Sequence, residues 1–385
     1  MSLKQFVPLD FDVFAGLDVD GSGISVTYLN HQGFIRSLRI PYSADNLVNY
    51  VRKHFPGQRV AFAYESGPTG YGLYDDLTRN GYFCIIACAA RIPRVPGLEI
   101  KTNKRDSRKI AESLRGGQLN SIHIPSPEYR NLRHLVQLRD TYKKQITANK
   151  SRIRMLLLFE GIKLDTPEHT TPWTKSFLTT LETIPCSTVV RFKLNSLLSN
   201  IYYNKEQLLC TMRQIRPFCK ENPEINHNVD LLITIPGIGF TTAVELLARI
   251  GDWRLISNAR QIACFLGLVP RESSTGDTIR KGPITCAGSS RTRNKLIQGA
   301  WAAIRKDAEL NDFYTRISSS GNRDYAKKKA IVGVARKLST RVFSVLHNQK
   351  PYVIRKTVQT EPNIKTNPPQ GTARNVIEQN VCFTR

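Results

Sequence analysis

Residues 13 to 87 carry the pattern that most constrains this chain. Three short runs, FAGLDV (14–19), GISVTYLN (23–30) and GFIRSLRIP (33–41), are rich in β-branched and aromatic residues and are joined by Gly-containing turns, which is how a hairpin meander reads. The alternation then changes. SADNLVNYVRKHF (43–55) has a Ser cap and helical spacing, RVAFAYES (59–66) is a buried strand, GLYDDLTRNG (72–81) is a helix closed by Gly81, and YFCIIA (82–87) is another buried strand. A meander followed by strands that alternate with helices implies a mixed α/β sheet, antiparallel on one side and parallel on the other. A further helix is expected from Asp106 to Leu114.

Beyond this region the period lengthens. Tyr129 to Phe159 has no Gly or Pro and reads as one long helix, with an a/d series of Leu132, Leu135, Arg139, Tyr142, Ile146, Asn149, Ile153 and Leu156. That series suits a coiled-coil seam in which Arg139 and Asn149 fix register, or a long helix packed within one subunit. After the Pro/Thr-rich LDTPEHTTPWT, apolar spacing resumes from Val189 to Ile215, and Pro217 and Pro223 are expected to end it. The expected domains are 1–125, mixed α/β; 126–225, coiled-coil helices for dimerisation; 226–348, mainly α; and 349–385, a flexible tail.

Lys and Arg number 56 against 31 Asp and Glu, a formal charge of +25. Such an excess repels itself unless it meets a polyanion. No apolar run reaches the roughly 18–20 residues of a spanning helix, and the N-terminus lacks a targeting layout, so no membrane partner and a cytoplasmic location are expected. Basic residues concentrate toward the C-terminus: Arg249 to Arg341 holds nineteen Lys/Arg against seven Asp/Glu. The eight cysteines are dispersed, without zinc-site spacing, and read as reduced, mostly buried thiols. His134 reads as a surface or packing residue.

Four constellations bear on chemistry. LLITIPGIGFTTAVELLARIGDW (231–253) reads as a helix-hairpin-helix in which Gly237 and Gly239 permit the turn and free amides face a DNA phosphate; a purely structural turn is the alternative. Asp18 in the first strand and Glu65 at the end of a neighbouring one are placed to share a divalent cation. Asp106 supplies a third carboxylate, or a helix cap. GLVPRESSTGDTIRKGPITCAGSSRTRNKL (267–296) sets Ser273, Ser274 and Thr275 among Arg271, Arg280, Lys281, Arg291 and Arg293. A hydroxyl attacking a phosphodiester needs such cationic neighbours, although a loop that only grips phosphate needs them too.

In this order GLDV, YESGPTGYGL, KTNKRDSRKIAESLR, IPGIG, ARQIACFLGLVPRESSTG and GPIT-x-x-G resemble the DEDD transposases of bacterial insertion sequences, a family that includes pilin-gene invertases and bridge-RNA-guided recombinases. The resemblance covers roughly residues 13 to 345. It implies a RuvC-like N-terminal domain of ribonuclease-H fold, a dimerising coiled coil and a C-terminal transposase domain. It further implies Mg²⁺ as cofactor, donor and target DNA and a structured noncoding guide RNA as partners, and a homo-oligomer, dimer or tetramer. By position Asp18, Glu65 and Asp106 match three of the four family acids. The third acid falls on Asn103, an amide that ligates without charge. Thr275 stands where the family's nucleophilic serine belongs, with Ser274 just upstream; Cys286 and Ser289 also depart from the family pattern. Lys101, Lys104 and Arg105 would face phosphates. A nucleic-acid-binding relative with weakened catalysis, and a metal-dependent nuclease without a covalent intermediate, are the alternatives.

Overall fold

The computed structural model describes residues 6–89, 92, 103–163, 173–275, 278–320 and 323–354. They divide into two compact units, Met1–Pro125 and Ser126–Arg385.

The first unit is a five-stranded mixed sheet. β1 (Val13–Val19), β2 (Gly23–Asn30) and β3 (Phe34–Pro41) form the antiparallel meander; β4 (Val60–Glu65) lies parallel to β1, and β5 (Phe83–Ala87) parallel to β4. The spatial order is β3-β2-β1-β4-β5. Strand alternation sorts the side chains onto two faces. Val13, Ala15, Leu17, Ile24, Val26, Phe62 and Tyr64 pack with Leu47, Val48 and Val51 of α1 (Ala44–His54) and Leu73 and Leu77 of α2 (Gly72–Arg79). Phe14, Leu29, Ala61, Ala63 and Ile85 pack on the other face with Ile110, Ala111 and Leu114 of α3 (Asn103–Arg115). Ser43 caps α1 by accepting from the Asp45 amide at 3.1 Å.

The second unit is mostly helical. α4 (Pro127–Phe159) and α6 (Thr188–Glu221) pack antiparallel along their length, with α5 (Lys175–Thr183) beside them. Ile146, Ile153 and Leu156 meet Val190, Leu194, Leu198 and Ile201 at one end. At the other, Leu132 and Val136 meet Ile215 and Cys219 and join the core of α7 (Pro223–Ile233), α8 (Phe240–Ile250), α9 (Ala259–Phe265), α10 (Ser290–Ala303), α11 (Ala308–Ser318) and α12 (Arg323–Asn348). The heptad seam of α4 is thus taken up inside the chain: Leu132, Arg139, Ile146, Asn149, Ile153 and Leu156 are all buried.

Four expectations need correction. α6 runs through Pro217 rather than ending there. The ring removes the amide that would bond the Arg213 carbonyl, yet Ile215 and Cys219 on either side are fully buried and hold the helix. The mainly α region also contains a strand pair, β6 (Pro270–Thr275) and β7 (Thr278–Ile284). Of the described cysteines only Cys84 and Cys219 are buried, while Cys210, Cys264 and Cys286 are exposed. Finally, the segment after α12 is anchored at its start: the Tyr352 amide donates to Thr234 Oγ1 at 2.8 Å and its hydroxyl to Asp307 Oδ2 at 2.9 Å. The expected tail from 355 onward lies outside the described residues. His134 is exposed.

Candidate active site

Adjacent parallel strands deliver Asp18 and Glu65 to the same end of the sheet. Leu17 of β1 pairs with Tyr64 of β4, and the two acidic residues come next on each strand. Both fall on the α3 face, since Asp18 follows Phe14 and Gly16 by twos and Glu65 follows Ala61 and Ala63.

The direction of α3 brings in Asp106. Phe14 shares its core with Ile110, Ala111 and Leu114. Two residues along β1, a Cβ on Gly16 would come 2.2 Å from the Ser107 carbonyl oxygen and 2.3 Å from the Ala111 nitrogen. Progress along β1 therefore runs back toward the start of α3, and the next residue on that face, Asp18, lies toward the first turn, which contains Asp106. Ser107 fixes this approach by a hydroxyl bond of 2.8 Å to Thr27, the register partner of Gly16. Asp106 is accordingly not the helix cap: α3 begins three residues earlier, at Asn103.

Asp18 and Asp106 are half-buried and Glu65 is exposed. Among the described residues, no three His, Cys, Asp or Glu side chains are drawn close enough to hold a metal ion. In donor type and in their shared end of one face, the three carboxylates nonetheless suit a hard divalent cation. Asp20 serves the β1–β2 turn instead, accepting from the Ser22 and Gly23 amides at 2.8 Å and from Arg39 at 2.8 Å. The Ser22 bonds, with that of Arg39, hold its carboxyl well below the usual range. Lys104 and Arg105 are exposed, whereas Lys101 lies outside the described residues.

In the second unit, the α7–α8 turn and the β6–β7 ribbon hold the remaining candidates. Gly237 has φ 86°, and a Cβ there would lie 2.1 Å from the Gly299 carbonyl oxygen of α10. Its place is therefore set by packing against α10. Gly239 precedes α8, which has no side-chain cap, and a Cβ there would meet nothing within 4 Å. The first amides of α8 consequently lie behind an open backbone position. On the ribbon, Thr275 pairs with Thr278, and Arg271, Thr275, Arg280 and Lys281 are exposed. Ser274 occupies β6 one residue earlier, paired with Ile279. Arg293 is buried and donates to the carbonyls of Leu266 and Ala287 at 3.2 and 3.1 Å, so its guanidinium is committed to the fold. Ser289 caps α10, and Cys286 adopts φ 55°, a left-handed conformation uncommon outside glycine.

Sequence reasoning missed a buried charge network. Arg139, fully buried in α4, reaches Asp140 at 2.8 Å and Glu245 of α8 at 2.5 Å; Glu245 also receives Lys295 and the Thr292 hydroxyl, each at 3.0 Å. Burial pushes the Glu245 carboxyl up, but the charge and bond of Lys295, then Arg139 and Thr292, reverse this and leave it below its ordinary value. The unexpected Arg139 in an otherwise apolar heptad was the available clue.

Against this geometry, comparison with known sequences defines the class. Residues 15–160 match the model of the IS110-type DEDD transposases, described as a transposase, and residues 229–315 match the transposase IS116/IS110/IS902 family. Together the matches span more than half of the chain, which belongs to the IS110-type transposase/recombinase family. Among its relatives are the transposase y4qE of Sinorhizobium fredii, 27% identical over 75% of this chain and 71% of that protein, and the transposase for insertion sequence element IS1533 of Leptospira borgpetersenii, 27% identical over 66% and 74%. The pilin gene-inverting protein of Moraxella bovis is 26% identical over 66% of this chain and 69% of its own length. No described helix is long and apolar enough to cross a membrane.

Proposed function

We propose that this chain is a magnesium-dependent, RNA-guided DNA recombinase of an insertion sequence, with a ribonuclease-H-like, RuvC-like first unit. The observation that carries the reading is the arrival of Asp18, Glu65 and Asp106 at one end of a single sheet face, from two parallel strands and the helix packed on them. In this role the three carboxylates, with the amide of Asn103, hold magnesium. When bound, the ion supplies Lewis-acid polarisation of a phosphate oxygen. The chain's own part is to fix the carboxylates on rigid elements, to grip the DNA backbone through the α7–α8 turn as a helix-hairpin-helix, with Gly239 leaving room for a phosphate, and to offer a hydroxyl of β6, Thr275 or Ser274, as nucleophile. The formal charge of +25 supports a second polyanion, the guide RNA, beside the DNA. Exposed Met155, Leu158 and Phe159 at the end of α4, with Val189 and Phe192 at the start of α6, support a homo-oligomer built on that end of the helical pair.

A second reading, a nucleic-acid-binding relative with weakened catalysis, is favoured by the neutral Asn103 where the family carries an acid. One assay separates the two: the purified protein, DNA bearing the ends of its element and RNA transcribed from that element, with Mg²⁺ or with EDTA. Strand cleavage that needs Mg²⁺ and disappears in Asp18→Asn supports the recombinase. Tight binding without cleavage in Mg²⁺ overturns it in favour of the binder.

A further inference from the structure

The two candidate hydroxyls lie on opposite faces of the β6–β7 ribbon, and the faces differ in charge. The register pairs Ser273 with Arg280 and Thr275 with Thr278, while Glu272 pairs with Lys281 and Ser274 with Ile279. Paired residues of an antiparallel ribbon share a face, and successive residues alternate. One face therefore carries Ser273, Thr275, Thr278 and Arg280; the other carries Glu272, Ser274, Ile279 and Lys281. The first has a guanidinium among hydroxyls and no carboxylate. The second sets an acid opposite its base, which leaves little net attraction for a phosphate. Arg271 adds to the first face, since its Cβ lies 3.7 Å from the position a Cβ would take on Gly282, two residues beyond Arg280. Thr275 and Arg280 are both exposed, and as diagonal neighbours their Cα atoms stand roughly 7–8 Å apart, within reach of an arginine.

We infer that Thr275, not Ser274, is the nucleophile, and that Arg280 across the ribbon holds the non-bridging oxygens of the scissile phosphate while charge develops on them. This assignment rests on the recombinase reading above. In the step, Thr275 Oγ forms a bond to phosphorus as the phosphorus bond to one sugar oxygen breaks. The hydroxyl proton passes to water, and the leaving sugar oxygen takes one up. The DNA stays linked to the protein as a phosphodiester, so no oxidant or energy source is consumed.

The test uses the full chain, end-labelled element DNA and element RNA in Mg²⁺, reading the covalent adduct on a denaturing gel, its site by peptide mass mapping, and DNA affinity separately. The adduct is expected on the peptide containing Thr275, absent in Thr275→Ala, retained in Thr275→Ser, and within about twofold of wild type in Ser274→Ala. Arg280→Ala is expected to slow adduct formation by about 10²-fold while DNA affinity changes far less, with partial rescue in Arg280→Lys. An adduct kept in Thr275→Ala and lost in Ser274→Ala overturns the assignment alone, as does mapping to another residue. Equal losses of rate and affinity in Arg280→Ala, without rescue by lysine, overturn the role of Arg280. DNA cleavage by wild type with no adduct overturns the hydroxyl mechanism proposed above and this inference with it.

Discussion

Gly16 of β1 lies directly under Ser107 of α3, so close that a Cβ on the glycine would come 2.2 Å from the serine's carbonyl oxygen. This contact brings the start of α3 to the end of the sheet where Asp18 and Glu65 emerge. Gly16→Ala must push the helix away, at a cost of about 1–3 kcal/mol, the usual range for overpacking. Gly21→Ala, whose Cβ would meet nothing within 4 Å, is the control. Urea unfolding should show a lowered midpoint for the first variant and little change for the second.

Asn103 opens α3 at the same end. If magnesium is held there, Asn103→Asp adds a negative charge to the donor set, and the ion should bind more tightly, on the order of tenfold for a gain of about 1.4 kcal/mol. Titration with Mn²⁺ followed by electron paramagnetic resonance measures this directly. Unchanged or weaker binding would remove residue 103 from the proposed ligand set.

The Arg139–Glu245 pair is sealed from water, and removing one partner strands the other. Glu245→Gln is expected to cost about 3–5 kcal/mol at neutral pH. Because the folded pKa of Glu245 is lowered, its stabilisation is fully present above about pH 4.3, the unfolded value, and is lost as pH falls through the folded value. The gap between wild type and variant in denaturant midpoint should therefore close toward acid pH; a gap independent of pH would contradict the assignment.

The two glycines of the α7–α8 turn should respond differently. Gly237→Ala combines a positive φ with a Cβ 2.1 Å from the Gly299 oxygen, so it should unfold the second unit at lower temperature. Gly239→Ala meets nothing in the free protein and should melt as wild type does. Any weakening of DNA binding in Gly239→Ala, measured by fluorescence anisotropy at fixed salt, would then report the backbone in contact with DNA.

Most of the first unit was legible because its strands are buried and apolar: all five strands begin within one residue of where their patterns begin. The start of α3 was not, since Asn103 stood in a run of charged residues where no apolar period marks a boundary. Nor was the β6–β7 ribbon, whose residues are exposed where described, so it lacks the alternation that betrays a half-buried strand. The seam of α4 was visible as a period but not as a partner choice, because a heptad does not say whether the covering helix belongs to the same chain. Asp18, Glu65 and Asp106 could be named in order from the sequence, whereas their common face depends on strand register and on the close approach at Gly16. The tie between Arg139 and Glu245 joins residues 106 positions apart, a distance over which no local pattern speaks.

The backbones of Gly237 and Gly299 touch, which makes the α7–α8 turn and α10 one solid piece. The ribbon is rooted in that piece, because β7 ends at Ile284, only six residues before α10 begins at Ser290. At about 3.3 Å per residue its seven-residue strand is an arm roughly 23 Å long. A tilt of about 10° at the root would carry the tip through about 4 Å by the same arithmetic, the difference between a hydroxyl in line with a phosphorus atom and one that misses it. Seating of a DNA backbone on the turn is thus geared to the aim of the strand tip, as a wrist is to a fingertip.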